Sequence, residues 1–480
     1  MAGNGDEAAT AARYRAQRMA HWDRLARAAG RPRAFAGSYH RRLATVYRSL
    51  VPRGSRVLEV GCGAGDLLAA VDPGEGIGID FSLEMVRRAA RRHPTLRFVC
   101  ADGHDLPVRG PFDVVILSDL VNDVWDVQGL LEAIAACATP RTRVLLNVYS
   151  RLWELPLRLA QKLGLARPLL EQNWLSGVDL LNLLRLADLE AVRAWQEVLL
   201  PAPLPGLAGL FNRFLVKVWP LRHLALANFL IARPAPRSDA EELSVSVIVP
   251  ARNEAGNVPA IFDRTPEMGR GTELILVEGH SQDGTWEAIQ RELAAHPERR
   301  SMALRQTGKG KGDAVRLGFS AASGDVLMIL DADLTVPPED LPRFYAAIRS
   351  GRGEFVNGVR LVYPMERQAM RFANLVGNKF FGLAFSWLLG QNVKDTLCGT
   401  KVLRRLDYET LAANRSHFGD FDPFGDFDLL FGAARLNLAI VDLPVRYRES
   451  TYGTTNIQRW RHGLLLLRMC LFAATRIKFI

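Results

Sequence analysis

Cysteine is scarce and scattered. The 480 residues hold five, Cys62, Cys100, Cys137, Cys398 and Cys470, odd in number and without metal-ligand spacing. That excludes a disulfide framework and a cysteine-rich zinc site, and it points to a reducing compartment. The amino terminus, Met-Ala-Gly-Asn-Gly-Asp-Glu, lacks the basic and apolar regions of a signal peptide. No uninterrupted apolar run reaches the roughly 18 residues that a spanning helix needs, so no transmembrane helix is expected. The implied location is cytoplasmic, peripheral on the inner face of a membrane. Acidic residues are in the minority, 51 against 61 Lys and Arg, for a net charge of +10. An excess of that sign predicts an anionic partner, either a phosphorylated substrate or an acidic membrane surface. Nucleic acid is not expected, because no basic–aromatic platform is visible. Nor does anything in the chain call for an obligate protein partner. With 48% apolar and 23% charged residues the chain is globular, and its length suits two to four domains.

What is present falls into two halves. Residues 8–50 read as helical and Arg-rich, with a break near Gly30. A buried strand then runs from Arg56 into the glycine turn Gly61-Cys-Gly-Ala-Gly65 and on to an apolar helix start at Leu67. Glycines there let the backbone approach a ligand closely. A second strand, Gly76–Ile79, ends at Asp80, where a carboxylate can bind ribose hydroxyls. Two more strands, Arg97–Cys100 and Phe112–Leu117, end at Asp102 and at Ser118-Asp119. Strands that stop on acidic or small residues predict a doubly wound sheet with a nucleoside crevice. These motifs, Val57-Leu-Glu-Val-Gly-Cys-Gly-Ala-Gly65, Gly78-Ile-Asp-Phe-Ser82 and Ala101-Asp102, resemble those of class I S-adenosylmethionine-dependent methyltransferases over roughly residues 35–150. The resemblance implies that Glu59 and the turn at Gly61, Gly63 and Gly65 face the amino-acid part of S-adenosylmethionine. It further implies Asp80 for the ribose and Asp102 for the adenine, with Phe81, Gly103 and Ser118 beside them. Asn122 and Asp123 stand where the family often has His, so Asp123 and His40 are only candidates for a base; a capping or solvated role is the plainer reading of each. The apolar stretch from Leu207 to Ala232 is broken by Arg213, Lys217, Arg222 and His223. It reads as helical: a lid, an interfacial helix or a packing pair.

A polar, Pro-bearing linker at 233–243 divides the halves, giving domains at 1–232 and 244–480. The second half opens on the strand Val245–Pro250, which stops at Ala251-Arg252-Asn253-Glu254; the next, Glu273–Val277, ends at Glu278. Gly308-Lys-Gly-Lys-Gly312 opens a helix, and glycines with Lys309 and Lys311 at a helix start suit a phosphate. The strand Val326–Leu330 then runs into Asp331-Ala-Asp333. Side chains two apart at a strand end point one way, so this pair suits one hard divalent cation, Mg²⁺ or Mn²⁺, bridging to phosphates.

In order, Val249-Pro-Ala-Arg-Asn-Glu254, Ser281-Gln-Asp-Gly-Thr285, Lys309-Gly-Lys-Gly-Asp-Ala314, Asp331-Ala-Asp333, Gly358-Val-Arg360 and Asp395-Thr-Leu-Cys-Gly-Thr400 resemble family 2 glycosyltransferases, polyprenyl-phosphate sugar synthases such as dolichyl-phosphate mannose synthase in particular. The expected fold is therefore α/β throughout: two doubly wound domains, a Rossmann-like methyltransferase fold and then a GT-A glycosyltransferase fold. The resemblance implies a nucleotide-diphosphate sugar contacted by Pro250, Arg252, Asn253, Glu254, Glu278, Lys309, Lys311, Asp331, Asp333 and Arg360, with the metal on Asp331 and Asp333. It places an acceptor-side acid near Phe421–Asp428, where Asp426 is the first choice for a base and Asp428 the second. Arg446 and Arg448 are the expected cations for a lipid-phosphate or glycan acceptor. Two departures stand out. Glu278-Gly279 replaces a usual Asp pair, and Gly453-Thr-Thr-Asn456 lacks the lysine common near the acceptor. The expected function is bifunctional, methyl transfer plus sugar transfer; the alternative is a glycosyltransferase whose first domain only binds S-adenosylmethionine. A basic, apolar carboxyl-terminal helix (459–480) suits either a membrane interface or packing on the sheet.

Overall fold

Apolar runs that stop at glycine, acidic or other polar residues become the central strands of two separate sheets. The computed structural model describes residues 3–28, 34–164, 170–204, 206–236, 241–360, 372–414, 427–446, 452 and 459–480. The chain divides into two units, Met1–Ala235 with Phe479–Ile480, and Pro236–Lys478.

The first unit begins with helices α1 (Gly3–Arg27) and α2 (Ala34–Leu50). It continues through β1 (Arg56–Val60), α3 (Asp66–Ala70), β2 (Glu75–Asp80), α4 (Leu83–Arg92), β3 (Arg97–Cys100), β4 (Val114–Ser118), α5 (Val127–Cys137) and β5 (Arg143–Tyr149). Helices α6 (Glu154–Lys162) and α7 (Gly177–Leu186), strand β6 (Leu189–Glu197), helix α8 (Leu207–Arg213) and strand β7 (Ala227–Pro234) complete it. The seven-stranded sheet has the order β3-β2-β1-β4-β5-β7-β6. Strands β1 to β5 are parallel, and β7 runs antiparallel to both β5 and β6. Order reverses between β1 and β4, so the crevice for a ligand lies where those two strands end. Each face carries its own apolar core, one around Leu58, Leu117 and Leu146, the other around Tyr47, Val57 and Phe229.

One expectation fails here. Ala227–Pro234 is a strand, not the end of an apolar helix, and only Leu207–Arg213 of that region is α-helical. Ala227, Phe229, Leu230, Ile231 and Ala232 are all buried, which a central strand covered on both faces requires. The same strand extends through Arg233 and Pro234, residues that read as linker.

The second unit runs β8 (Val245–Ala251), α9 (Val258–Arg264), β9 (Thr272–Glu278), α10 (Thr285–Ala295), β10 (Ser301–Arg305), α11 (Lys311–Ala321), β11 (Val326–Ile329) and α12 (Leu341–Arg349). It ends with β12 (Phe355–Val359), α13 (Phe372–Leu389), β13 (Lys401–Arg404), α14 (Arg405–Ala413), α15 (Phe427–Arg435), β14 (Ile440–Pro444) and α16 (Arg459–Ala473). Its seven-stranded sheet is ordered β10-β9-β8-β11-β13-β12-β14, with β13 antiparallel to β11 and β12. Among the described residues no helix is long and apolar enough to cross a membrane.

Candidate active sites

In the first unit the turn after β1 needs glycine. Gly61, Gly63 and Gly65 have φ of 74°, 52° and 76°, the left-handed region that other residues rarely adopt. A side chain at Gly61 would also strike Leu120, whereas a Cβ at Gly63 would meet nothing within 4 Å. The turn is tied to the second strand by Asp80. One oxygen of this buried carboxylate accepts from the Gly63 amide at 2.9 Å and the other from the Ser82 amide at 2.8 Å. Burial pushes Asp80 up to about 6, against the pull of those two amides. Glu59, on β1, is buried too; its Oε2 has no hydrogen-bond partner, and burial raises its carboxyl well above the usual range.

Beyond the third strand, Asp102 is a paired carboxylate. It meets His104 Nδ1 at 2.7 Å and the His104 amide at 3.0 Å, and Arg15 approaches at 3.4 Å. The His104 hydrogen bond, against a smaller cost of burial, brings it down to about 2. Gly103 packs close to Val60 and Leu130. The backbone carbonyl of Phe81 takes the Cys100 thiol at 3.6 Å. Asp123 holds Trp22 Nε1 at 2.8 Å and Arg18 at 2.9 Å. Helix α1 therefore supplies partners at three strand ends: Asp23 to Ser82 at 2.5 Å, Arg15 to Asp102, and Arg18 with Trp22 to Asp123. It lies along the mouth of the crevice, a position that an Arg-rich helical pattern does not reveal. Of the two candidate bases, Asp123 is thus engaged by α1, and His40 lies exposed beside Tyr39.

A polar cluster stands at the ends of β4 and β5. Asp119, with φ of 55°, accepts from the Tyr39 hydroxyl at 2.8 Å and from Asn147 Nδ2. Asn147 Oδ1 in turn accepts from Tyr47 at 2.7 Å and from Ser118 Oγ at 3.0 Å. Burial pushes Asp119 up to about 6 although Tyr39, Asn147 and Tyr149 hydrogen-bond to it. Sequence reasoning reached Ser118-Asp119 as a strand end but not its partners, which come from α2 and β5.

The second unit assembles its site from four strand ends. Asn253, at φ 58°, uses its Oδ1 to accept from the Gln282 amide at 2.8 Å, and its own amide donates to Ser281 Oγ at 3.0 Å. The Glu254 amide donates to Thr285 Oγ1 at 2.9 Å, and Glu278 accepts from the Ser281 amide at 2.5 Å. These bonds stitch the loops after β8 and β9 into one rim. Pro250 lies within β8, and Arg252 is exposed just beyond it. Glu278, His280, Trp286, Arg305 and Gln306 line a cavity of about 280 Å³ beside that rim. Arg305 lies over the Trp286 ring at 4.2 Å.

Across the rim, Lys311 Nζ lies 2.5 Å from Asp331 Oδ1. Burial alone would raise Asp331, but Lys311, with Arg360 and Lys401 behind it, holds its pKa below the usual value. Asp333 is pushed the other way by burial and by Asp331, although Thr335 donates to its Oδ1 from both amide (3.1 Å) and hydroxyl (2.9 Å). Glu254 faces this pair. Burial, opposed by Asn257, and then the charges of Asp333, Asp283 and Asp331 take it up to about 7. Among the described residues no three His, Cys, Asp or Glu side chains group as a metal-ligand set.

Not every expected residue joins the rim directly. Arg360 grips the fully buried Asp395 through Nε at 2.7 Å and Nη2 at 2.9 Å. Lys309 and Arg446 are exposed, and Asp428 is in the first turn of α15. Asp426 and Arg448 lie outside the described residues. Gly399, unremarked beyond its motif, is packed so tightly over Asp331 and Lys311 that any Cβ would overlap both.

Both units therefore carry the open strand-end crevice of nucleotide-binding α/β domains. Residues 13–194 match the family model described as a methyltransferase domain, and residues 246–411 match the one described as glycosyl transferase family 2. The chain thus carries a methyltransferase domain followed by a family 2 glycosyltransferase domain, Rossmann-like and GT-A in fold. A dolichol-phosphate mannosyltransferase of Pyrococcus furiosus is 39% identical over 181 residues, 36% of this chain and 49% of that protein. An undecaprenyl-phosphate 4-deoxy-4-formamido-L-arabinose transferase of Pectobacterium carotovorum is 33% identical over 167 residues, 34% of this chain and 49% of the relative. The chain spans about half the length of these curated relatives. The solved glucosyl-3-phosphoglycerate synthase of Mycobacterium tuberculosis, in complex with Mn²⁺, uridine diphosphate and glucosyl-3-phosphoglycerate, is 20% identical, with a TM-score of 0.37, covering 50% of this chain and 81% of that one.

Proposed function

We propose that the protein is a bifunctional transferase. Its first domain, about 1–232, moves a methyl group from S-adenosylmethionine, and its second, about 244–480, moves a sugar from a nucleotide diphosphate to a lipid phosphate at a membrane surface. One observation carries the reading: each unit ends its parallel strands in a separate polar site, a glycine turn pinned by Asp80 in one and the Lys311–Asp331–Asp333 group in the other. The relatives' polyprenyl-phosphate chemistry supports the acceptor class.

S-adenosylmethionine supplies an activated methyl on a sulfonium. The first unit's residues fit it: the orphaned Glu59 Oε2 can accept from an ammonium, the open side of Gly63 leaves room for ligand, and Asp80 keeps the turn in place. The Asp119–Tyr39–Asn147 cluster, at the ends of β4 and β5, would then face the methyl acceptor. In the second unit Asp331 and Asp333 suit Mg²⁺ or Mn²⁺, since two carboxylates with phosphate oxygens form a usual set for such ions. Held there, such a cation would supply positive charge against the leaving diphosphate. Lys311 is placed to move from Asp331 to a phosphate oxygen, and Asp395 steadies Arg360 beside it. Glu278, Asn253 and Glu254 form the nucleoside side of the rim; Asp426 or Asp428 and the cations Arg446 and Arg448 serve the acceptor. A lipid-phosphate acceptor places the protein peripherally on the cytoplasmic face of a membrane.

Mass spectrometry of products from a panel of uridine and guanosine diphosphate sugars with polyprenyl phosphate, with and without Mn²⁺ and S-adenosylmethionine, tests both halves. Glycosylated lipid in the presence of Mn²⁺ and a mass gain of one methyl are expected. No glycolipid from any donor rejects the second activity. Binding of S-adenosylmethionine without a methylated product, from this panel or from a lipid extract, would leave the first domain as a regulatory module.

A further inference from the structure

Helix α6 turns leucines outward. It follows β5, at the strand end that bears the first unit's site, and none of its residues is fully buried. At about 100° per residue, Leu155, Leu159 and the C-cap Leu163 fall within roughly 80° of arc, and Leu152, in the 3₁₀ turn before the helix, is exposed as well. Leu155 is 74% exposed and Leu163 65%. Leu157, on the far side of the helix, packs against the sheet core with Trp153. The outward leucines are therefore not left over from inward packing; the helix has a separate inner face. Arg151, Arg158 and Lys162 line one edge of the outward face, with Arg158 paired to Glu154 at 2.9 Å.

A second exposed apolar segment lies beside the start of the helix. Trp153 Nε1 donates to the Leu224 carbonyl at 2.9 Å, which fastens the start of α6 to the turn at 218–224. That turn presents Trp219, 71% exposed, with Val218 and Leu224, and carries Arg222. No acidic residue occurs between Glu197 and Asp239. Isolated exposed leucines are ordinary, but several on one arc of a helix, beside a turn that exposes Trp219 and with a net positive charge around them, are not.

We infer that this face of the first unit docks on an anionic lipid bilayer. Amphipathic helices that lie in a membrane interface combine such an apolar face with Lys and Arg at the headgroup level, and tryptophan favours the same depth. Beyond the Arg158–Glu154 pair, Arg151, Lys162 and Arg222 add a net positive charge that complements anionic headgroups and that an apolar protein partner would not match. The inference deepens the peripheral location proposed above by assigning it a surface, and it puts the methyl-transfer edge of the sheet next to lipid.

Co-sedimentation of the full chain with vesicles tests it, comparing equal parts phosphatidylglycerol and phosphatidylcholine with phosphatidylcholine alone. The wild type should bind the anionic vesicles and lose binding as salt is raised. The double variant Leu155→Glu/Leu159→Glu should bind at least about tenfold more weakly, and Arg158→Glu/Lys162→Glu should lose the preference for anionic lipid. Phe380→Glu/Leu383→Glu, on an exposed face of α13, should bind as the wild type does. Circular dichroism melts check that each variant is folded. If the wild type stays in the supernatant, the peripheral location itself fails. If it binds and the leucine variant binds equally, the location stands and this face is wrong. A wild-type dimer in sedimentation velocity that Leu155→Glu/Leu159→Glu converts to monomer, with vesicle binding unchanged, would make the face a self-interface and overturn the lipid assignment.

Discussion

Lys311 and Asp331 form an ion pair at 2.5 Å, at the carboxylate proposed above for a divalent cation. An ammonium and a dication compete for one oxygen, and the pairing also keeps Asp331 ionised despite its burial. Lysine at this position is thus a counter-ion in the resting site, and on the proposed function it would turn to phosphate when metal and nucleotide arrive together.

Replacing the lysine separates those roles. Lys311→Met should bind Mn²⁺ alone roughly tenfold more tightly, because like charge near the cation has gone. It should bind Mn²⁺ with uridine or guanosine diphosphate more weakly, because a phosphate partner has gone too. Calorimetric titration with Mn²⁺, with and without nucleotide, reads both; weaker binding of Mn²⁺ alone would refute the competition.

Gly399 controls the same pair by close approach. A methyl group there would overlap the Asp331 carboxylate and the Lys311 ammonium at once. Gly399→Ala should separate the pair and lower Mn²⁺–nucleotide affinity at least about tenfold, at an overpacking cost of roughly 1–3 kcal/mol. Nucleotide titration beside a thermal melt distinguishes this from unfolding, and unchanged affinity would show that the loop yields.

In the first unit, Asp80→Ala leaves the amides of Gly63 and Ser82 without their acceptor, at roughly 1–3 kcal/mol for each that stays buried. S-adenosylmethionine binding by calorimetry should be lost. Asp80→Asn keeps one acceptor oxygen and should retain weak binding. Equal affinity in wild type and Asp80→Ala would remove the carboxylate from the site.

The parallel strands that carry both sites were legible because each is an apolar run stopped by glycine, an acid or another polar residue: β1 at Gly61, β2 at Asp80, β8 before Arg252-Asn253, β11 at Asp331. Strand β7 was not. Its Ala-Asn-Phe-Leu-Ile-Ala run is apolar on both faces, and periodicity does not separate such a strand from a buried helix. Strand β13 is disguised by Lys401, which is fully buried with its ammonium on the Cys398 carbonyl. Motif residues were legible, but their partners were not. Nothing in spacing relates Arg15 to Asp102, or Tyr39 to an acid 80 positions later.

That distant pairing makes a pH prediction. Burial raises Asp119 to about 6 from an ordinary 3.8. Between those values the folded state keeps a proton that the unfolded chain has released, so this group's contribution to stability is full below about pH 4 and is lost as pH rises through 6. Asp119→Asn cannot titrate there. The stability of the wild type relative to Asp119→Asn should therefore fall by on the order of 3 kcal/mol from pH 4 to 7 and stay level above. Glu59 and Asp80 shift in the same direction, but they are present in both proteins and cancel in the difference. Scanning calorimetry across that range, following the transition that S-adenosylmethionine moves upward, isolates the first unit. A difference that grows with pH would mean that Tyr39 and Asn147 stabilise the charged carboxylate by more than burial penalises it.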